Sequence, residues 1–282
     1  MTADEQRSAA LVANARMYAI DERVAALWSR LFAWIAIEAR IPLDVIAHAP
    51  PRPLAALWRR ADLGCAFICG YPWTTWDDPA IAQPRLLAAP IPSGARYAGR
   101  AVYCTDIVVR ADSRHPDVDA LRGSRFAYTV EHSQSGYQAP RAYVAHRAMR
   151  DGGRFFADVV GPLHTPRAVA AAVLAGRADA GPLDSWWHDL LERHEPVTAA
   201  RLRTIASTPM TPIPPLVAAA EVSEAIRGRL TAALERVGTH GALRALREQL
   251  LIDGFARVAQ DDYAPLAASA RRIDALGYPR LQ

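Results

Sequence analysis

Short apolar runs of strand length alternate with longer segments of helical period along much of this chain, and that alternation restricts the fold more than any other feature. Residues 63–69, Leu-Gly-Cys-Ala-Phe-Ile-Cys, are apolar almost throughout and too short for a helix, which predicts a strand buried on both faces. Ahead of it, residues 13–18 read as a strand. Asp21 then caps a helix running to Ala39, with Val24, Leu27, Leu31, Trp34 and Ile35 on one face. A strand at 43–47 and a helix at 54–60 complete a β-α series, which predicts a mainly parallel sheet covered on both faces. At 282 residues and 51% hydrophobic content, the chain is long enough for about two such units. We expect an α/β protein with lobe 1 at 1–103, completed by 221–282, and lobe 2 at 104–220.

The second series opens with the β-like run 101–110 and continues with a strand at 125–130 and a helix at 138–149. A strand at 155–163 precedes a helix at 165–175, where Thr165-Pro166 supplies a cap and a first-turn proline and Gly176 supplies the stop. Strands at 178–183 and 201–206 flank a helix at 184–193. The proline-rich Thr208-Pro-Met-Thr-Pro-Ile-Pro-Pro215 reads as a hinge ahead of an apolar strand at 216–220. Helices at 223–237, 243–251 and 261–276 close the chain with few strand signals.

Glu131-His-Ser-Gln-Ser-Gly-Tyr137 joins the strand at 125–130 to the helix at 138–149. Small hydroxyl residues and a glycine at a strand-to-helix turn leave the first N–H groups unbonded, and the helix dipole adds positive potential. Such a turn is an anion cup for a phosphate, phosphonate, sulfonate or carboxylate. The plainer reading is a helix capped by Ser133 or Ser135. The net charge of +4 suits an anionic ligand, but the arginines are scattered and form no nucleic-acid-binding block.

Several separated segments resemble the phosphonate-binding branch of the type II periplasmic solute-binding proteins, the receptors of phosphate, phosphite and phosphonate ABC transporters. Tyr103-x-x-x-Ile107-Val-Val-Arg110 with Asp112-Ser113 and Leu121-Arg-Gly123 is similar to that family's crossing strand and its Asp-Leu-Lys-Gly element. Residues 126–140 resemble the strand leading to a Ser-Thr-Ser-Gly-Tyr phosphonate loop, with Gln134 in place of the threonine. His164 with residues 168–184 resembles a segment of histidine, helix and Gly-x-Val-Asp-Ala-Gly, here Gly176-Arg-Ala-Asp-Ala-Gly181. Arg16-Met-Tyr18, Cys69-Gly-Tyr-Pro72 and residues 213–220 extend the likeness to most of 14–240.

The resemblance implies a type II periplasmic-binding-protein-like fold, two α/β lobes with a ligand cleft between them, and non-catalytic binding of a small anionic solute. The expected ligand residues are Tyr18, Tyr71, Ser133, Gln134, Ser135, Gly136, Tyr137, His164 and Asp184. Tyr18 and Tyr71 can equally be packing residues, His164 can bond a neighbouring carbonyl, and Asp184 can be only a helix cap. An ABC permease is the implied partner. The alternatives are an enzyme on the same fold and a cytoplasmic metabolite sensor.

Catalytic signals are poor. Ser135 lacks the Gly-x-Ser-x-Gly elbow, no glycine fingerprint for a nucleotide occurs, and His188 and His194 fall on different helix faces. We expect no catalytic residue, metal or cofactor. Cys65 and Cys69, about 13 Å apart along one strand, exceed the span of a disulfide, and an odd count of thiols suits a reducing compartment. Residues 24–37, interrupted by Arg30, are shorter than the roughly 20 residues that span a bilayer. With a polar start at Met1-Thr-Ala-Asp-Glu-Gln-Arg-Ser8, the chain as it stands reads as cytoplasmic, or periplasmic if an export signal has been removed.

Overall fold

A computed structural model describes residues 10–150 and 152–282; the expectation drawn from Met1 to Ser8 lies outside them. The chain forms two compact units. One takes in the chain up to Ile68, Asp77–Pro90 and Pro214–Val258; the other takes in Cys69–Trp76, Ile91–Ile213 and Ala259–Gln282.

The first unit is built on a six-stranded sheet in the order Ile252–Ala256, Arg85–Pro92, Leu216–Ala218, Leu63–Phe67, Leu11–Asn14, Leu43–Val45. Leu63–Phe67 is buried at every position, as its unbroken apolar sequence requires. The helix Glu22–Ala39 is started by Asp21, whose Oδ1 accepts from the Val24 N–H at 2.8 Å. It stops where Arg40 takes a left-handed φ of 53°. Its core face is Val24, Trp28, Leu31, Phe32, Ile35 and Ala39. The expected face is thus rotated: Leu27 and Trp34 are only half-buried, and Trp34 stacks at a tilt on His240, 5.0 Å away.

The second unit carries a five-stranded sheet in the order Leu202–Ser207, Thr105–Arg110, Ala180–Asp184, Arg125–Ala127, Asp158–Val160, with Val102–Tyr103 and Thr211–Pro212 paired beside it. Neither large sheet is wholly parallel. Thr105–Arg110 runs antiparallel to both its neighbours, and Leu216–Ala218 does the same in the first sheet. Both strands follow a passage of the chain from one unit into the other and so enter in the reverse direction; the β-α steps within each unit remain parallel.

Gly181 lets the helix Pro166–Leu174 close on this sheet, because a Cβ there would stand 2.5 Å from Val169 Cγ1. Phe126 and Phe156 stack at 4.4 Å in the core beside Val144, Ala145 and Ile273. A buried ionic cluster lies at the other side of the sheet. The Asp106 carboxylate, 1% exposed, accepts from Arg96 at 3.0 and 3.2 Å, from His188 Nδ1 at 3.0 Å and from the Ser207 hydroxyl at 2.7 Å. Arg96 and the Tyr97 hydroxyl also bond Asp189.

The grouping differs from the lobe bounds 1–103 with 221–282 and 104–220. Residues 91–103, 69–76 and 259–282 all pack with the second unit. Tyr263 Oη donates to Ile213 O at 2.8 Å, and the buried Arg141 guanidinium bonds Asp274 at 2.5 Å and Tyr278 O at 2.9 Å. These bonds fix the helix Gln260–Ala275 and the tail after it to the second unit. Among the described residues no helix is long and apolar enough to cross a membrane.

Candidate functional site

The strand Arg125–Ala127 feeds Tyr128 and Thr129, which continue the pairing with the neighbouring chain: Tyr128 N–H donates to Val160 O, and the Leu163 and His164 N–H groups donate to Tyr128 O and Thr129 O. Beyond Thr129 the chain turns into the helix through a π-turn at Gln134–Gln138, with the Gln138 N–H donating to Ser133 O at 3.0 Å. This wider turn is a rare form that is frequent at functional sites. Ser133 is its cap, Oγ accepting from the Gly136 N–H at 3.0 Å.

Four further bonds hold the turn. Gln134 N–H donates to Cys69 Sγ at 3.1 Å, Thr105 Oγ1 to Ser135 O at 3.1 Å, Gln138 Nε2 to Glu131 O at 2.7 Å, and Thr129 N–H to Gly136 O at 3.3 Å. Only glycine fits at 136, since a Cβ would lie 1.8 Å from Thr129 Oγ1. Among the described residues no acceptor is bonded to the Ser135 N–H. That group sits in the first turn of a helix continuing to Arg150, where the dipole favours an anion.

Three side-chain atoms around this turn are sealed from solvent without a hydrogen bond of proper geometry: Tyr103 Oη, Thr129 Oγ1 and Gln134 Oε1. They are three of the five such atoms among the described residues. Burial drives the Tyr103 hydroxyl well above a tyrosine's usual pKa, with Cys69 and Asp184 pushing the same way and Ser135 pulling it back. It is a permanent O–H donor. Burial also pushes the Cys69 thiol up to about 11, so it is a neutral clasp between the Gly70–Thr74 helix and the turn, and no nucleophile.

The second unit therefore gathers Ser133, Gln134, Ser135, Gly136 and Tyr137 in one turn, pinned to the segment before Tyr71, with His164 paired to Thr129 through its backbone. His164 is exposed with a left-handed φ of 66°, and its ring makes no hydrogen bond among the described residues. Tyr71 is half-buried, its carbonyl accepting from the Thr74 and Thr75 hydroxyls at 2.9 Å each. Tyr137 is 6% exposed; its hydroxyl accepts from the Leu281 N–H at 3.0 Å and its ring meets Tyr128 edge-on at 5.3 Å. Asp184 is 6% exposed and caps the helix Ser185–His194, Oδ1 accepting from the Trp186 and Trp187 N–H groups at 3.0 Å each. Tyr18 belongs to the first unit, 1% exposed and edge-on to Phe67 at 4.9 Å.

Sequence reasoning missed Tyr103, Thr105, Thr129 and Cys69 as parts of this site. Tyr103 carried a signal, as the first residue of the crossing-strand motif; the two threonines carried none. No group of His, Cys, Asp and Glu that could hold a metal ion occurs among the described residues.

The family described as "ABC transporter, phosphonate, periplasmic substrate-binding protein" matches residues 19–263. Solved structures with the same fold include a binding protein component of an ABC phosphonate transporter, PA3383 from Pseudomonas aeruginosa. It is 17% identical over 95% of this chain and 87% of its own, with a TM-score of 0.79. PhnD1 from Prochlorococcus marinus, in complex with methylphosphonate, is 15% identical over 94% and 98%, with a TM-score of 0.73. XAC2383 from Xanthomonas citri, bound to ATP, is 17% identical over 95% and 99%, with a TM-score of 0.66. Among curated protein sequences none matches.

Proposed function

Because this chain belongs to the family of periplasmic substrate-binding proteins of phosphonate ABC transporters, we propose that the turn Ser133–Tyr137 receives a phosphonate or a similar small oxyanion. The fold is that of the two-lobed type II periplasmic binding proteins, and the protein is a binding protein rather than an enzyme. The Ser135 N–H, the Ser135 and Tyr103 hydroxyls and the His164 ring are the proposed donors. Tyr71, Gln134 and Asp184 are the proposed lining beside them, and Gly136 and Tyr137 shape and support the turn. An ABC permease is the proposed recipient of the ligand, and the periplasm, the family's compartment, is the proposed location.

The observation that carries this reading is the group of sealed polar atoms without partners. Each such atom costs about 1–3 kcal/mol when buried with no partner, and native proteins carry few. A tetrahedral oxyanion supplies acceptors to the Tyr103 and Thr129 hydroxyls and to N–H donors without needing a cation, whereas Gln134 Oε1 is itself an acceptor and calls for a donor on the ligand, such as a protonated oxygen.

Tyr103→Phe separates binding from folding. Removing a hydroxyl whose hydrogen-bonding neighbour is Ser135 costs about 1 kcal/mol of stability or less, while methylphosphonate affinity by titration calorimetry falls at least tenfold, about 1.4 kcal/mol. Equal affinity in the variant removes Tyr103 from the site. No binding of methylphosphonate, phosphite or phosphate to the wild type sinks the reading as a whole.

A further inference from the structure

Within the turn at 133–137, Gln134 has the opposite polarity to its neighbours. The Ser135 N–H and the Tyr103 hydroxyl, kept protonated by its burial, offer hydrogen to a ligand. The Gln134 carboxamide oxygen has none to offer and can only accept. That oxygen is sealed and unbonded, in a residue 5% exposed. The backbone fixes its place from both sides: the Gln134 N–H donates to Cys69 Sγ at 3.1 Å, and the Gln134 carbonyl accepts from the Ala139 N–H.

An oxyanion without protons presents only lone pairs. Against the Ser135 and Tyr103 donors these match, but against Gln134 Oε1 they set oxygen on oxygen and leave a buried acceptor unpaired. One protonated oxygen on the ligand removes the conflict, because its O–H donates to Oε1 while the other oxygens accept. A site built around such a hydroxyl rejects an analogue that lacks it, since the site's own polar group is then left without a partner.

The charges around the turn point the same way. Burial is the main reason that the Cys69 thiol and the Tyr103 hydroxyl shift upward, and the Asp184 carboxylate adds to the shift of both. Its negative potential therefore reaches the neighbours of Gln134 and disfavours a dianion there relative to a monoanion. Tyr263, from the helix Gln260–Ala275, is likewise kept protonated by burial. Ahead of the turn, burial holds His132 below the usual histidine range with Glu131 opposing, so the ring is uncharged near neutrality. Behind burial, Glu131 raises Tyr128 and Tyr137, while Arg141 and Arg280 pull Tyr137 down. Arg141 is itself bonded to Gln138 Oε1, Asp274 and the carbonyls of Ala270 and Tyr278. The exposed His164 ring is the other group near the turn that can titrate.

We propose, on the reading of this turn as an oxyanion site, that Gln134 is its specificity-determining residue. The site takes the singly protonated monoanion of a phosphonate or phosphite, whose P–O–H donates to Gln134 Oε1. It takes the dianion poorly, and it rejects sulfonates, which carry the same single charge with no proton to give.

Titration calorimetry of the full chain with methylphosphonate, phosphite and methanesulfonate, between about pH 6 and 9 to span second ionisations of the phosphate type, tests this. Methanesulfonate is expected to bind at least about a hundredfold more weakly than methylphosphonate near neutrality. Methylphosphonate affinity should fall about tenfold per pH unit above the ligand's second pKa. The fall for phosphite, which loses its second proton more readily, should begin at lower pH. A protein group such as His164 would instead place both falls at the same pH. Gln134→Met, of similar length with no acceptor oxygen, should narrow the preference for methylphosphonate over methanesulfonate at least tenfold, with thermal melting confirming that the variant is folded. Equal affinity for methanesulfonate, affinity that is flat or rises with pH, coincident falls for the two ligands, or an unchanged preference in a folded Gln134→Met each overturn the proposal and leave the phosphonate reading standing. Should neither methylphosphonate nor phosphite bind at any pH, the phosphonate reading fails and this inference with it.

Discussion

Gly136 shows at single-residue scale how closely the turn is fitted. A methyl group there would overlap Thr129 Oγ1 at 1.8 Å and press on Ser133 Oγ at 2.9 Å, so the strand end and the cap must both give way. Gly136→Ala is expected to destabilise the protein by about 1–3 kcal/mol and to abolish methylphosphonate binding. Gly228, inside the helix Glu224–Arg236 with nothing within 4 Å of its missing Cβ, is the contrast. Gly228→Ala should stabilise by about 0.5–1 kcal/mol with affinity intact. Thermal denaturation and calorimetry of the pair check both; if Gly136→Ala melts and binds like the wild type, the fit described here is not what shapes the turn. The turn and its Ser133 cap were legible, because small hydroxyl residues and a glycine before a helical run mark a capped helix start. Thr129 was not, because its part depends on a backbone reversal that leaves no local pattern; Tyr103 was readable as the first residue of the crossing-strand motif but not as a neighbour of the turn, which lies about 30 residues away.

At the scale of elements, the helix Ser185–His194 turns on Asp184. A cap of this kind is worth about 0.5–2 kcal/mol, and Asn preserves it where Ala does not. Asp184→Asn should therefore keep the melting temperature near the wild type, and Asp184→Ala should lower it. If ligand binding follows the carboxylate charge, affinity changes in Asp184→Asn as well; if Asp184 is only a cap, affinity falls in neither. The cap and first-turn proline at Thr165-Pro166 were readable from the sequence, since Thr165 Oγ1 does accept from the Ala168 N–H at 3.1 Å. The strands Arg85–Pro92 and Ile252–Ala256 were not anticipated. Two prolines in the first and a glycine in a short second one argue against strands locally, and pairing within the sheet outweighs that preference. The rotated face of Glu22–Ala39 has a similar origin, because Trp28 and Phe32 rather than Leu27 and Trp34 meet Phe67 and its neighbours.

For the molecule as a whole, the buried ionic cluster is expected to contribute to the response to acid. Desolvation opposes ionisation of Asp106, but His188, Arg96 and Ser207 outweigh it and hold its pKa below the usual carboxylate range. A depressed carboxylate contributes stability that is present above its unfolded pKa, about 3.9, and is lost as pH falls through the folded value. Asp189 faces the same arginine and shifts upward, mainly by burial, so its contribution runs the other way. Asp106→Asn should cost roughly 2–3 kcal/mol at neutral pH, less than the 3–5 of a fully buried pair because the Arg96 side chain keeps 33% of its exposure. Its stability should also fall less steeply below about pH 4 than that of the wild type. Chemical denaturation across pH 2.5 to 7, as an order-of-magnitude span around that value, checks this, and parallel curves would assign the acid response elsewhere. No sequence pattern announces this cluster, since Arg96, Asp106, His188 and Ser207 meet only through the sheet.

The three-residue strand Leu216–Ala218 has a consequence for how the chain is made. It pairs with Leu63–Phe67 on one side and with Arg85–Pro92 on the other, so it bridges strands synthesised far earlier. Until the ribosome has passed residue 218, Leu63–Phe67 with its parallel neighbours and the lone strand Arg85–Pro92 have nothing to join them. At about 5–20 residues per second, the roughly 150 residues between Phe67 and Ala218 take about 8–30 seconds, during which the early strands keep unpaired edges and a holdase or an unfolded-chain translocase has its opening.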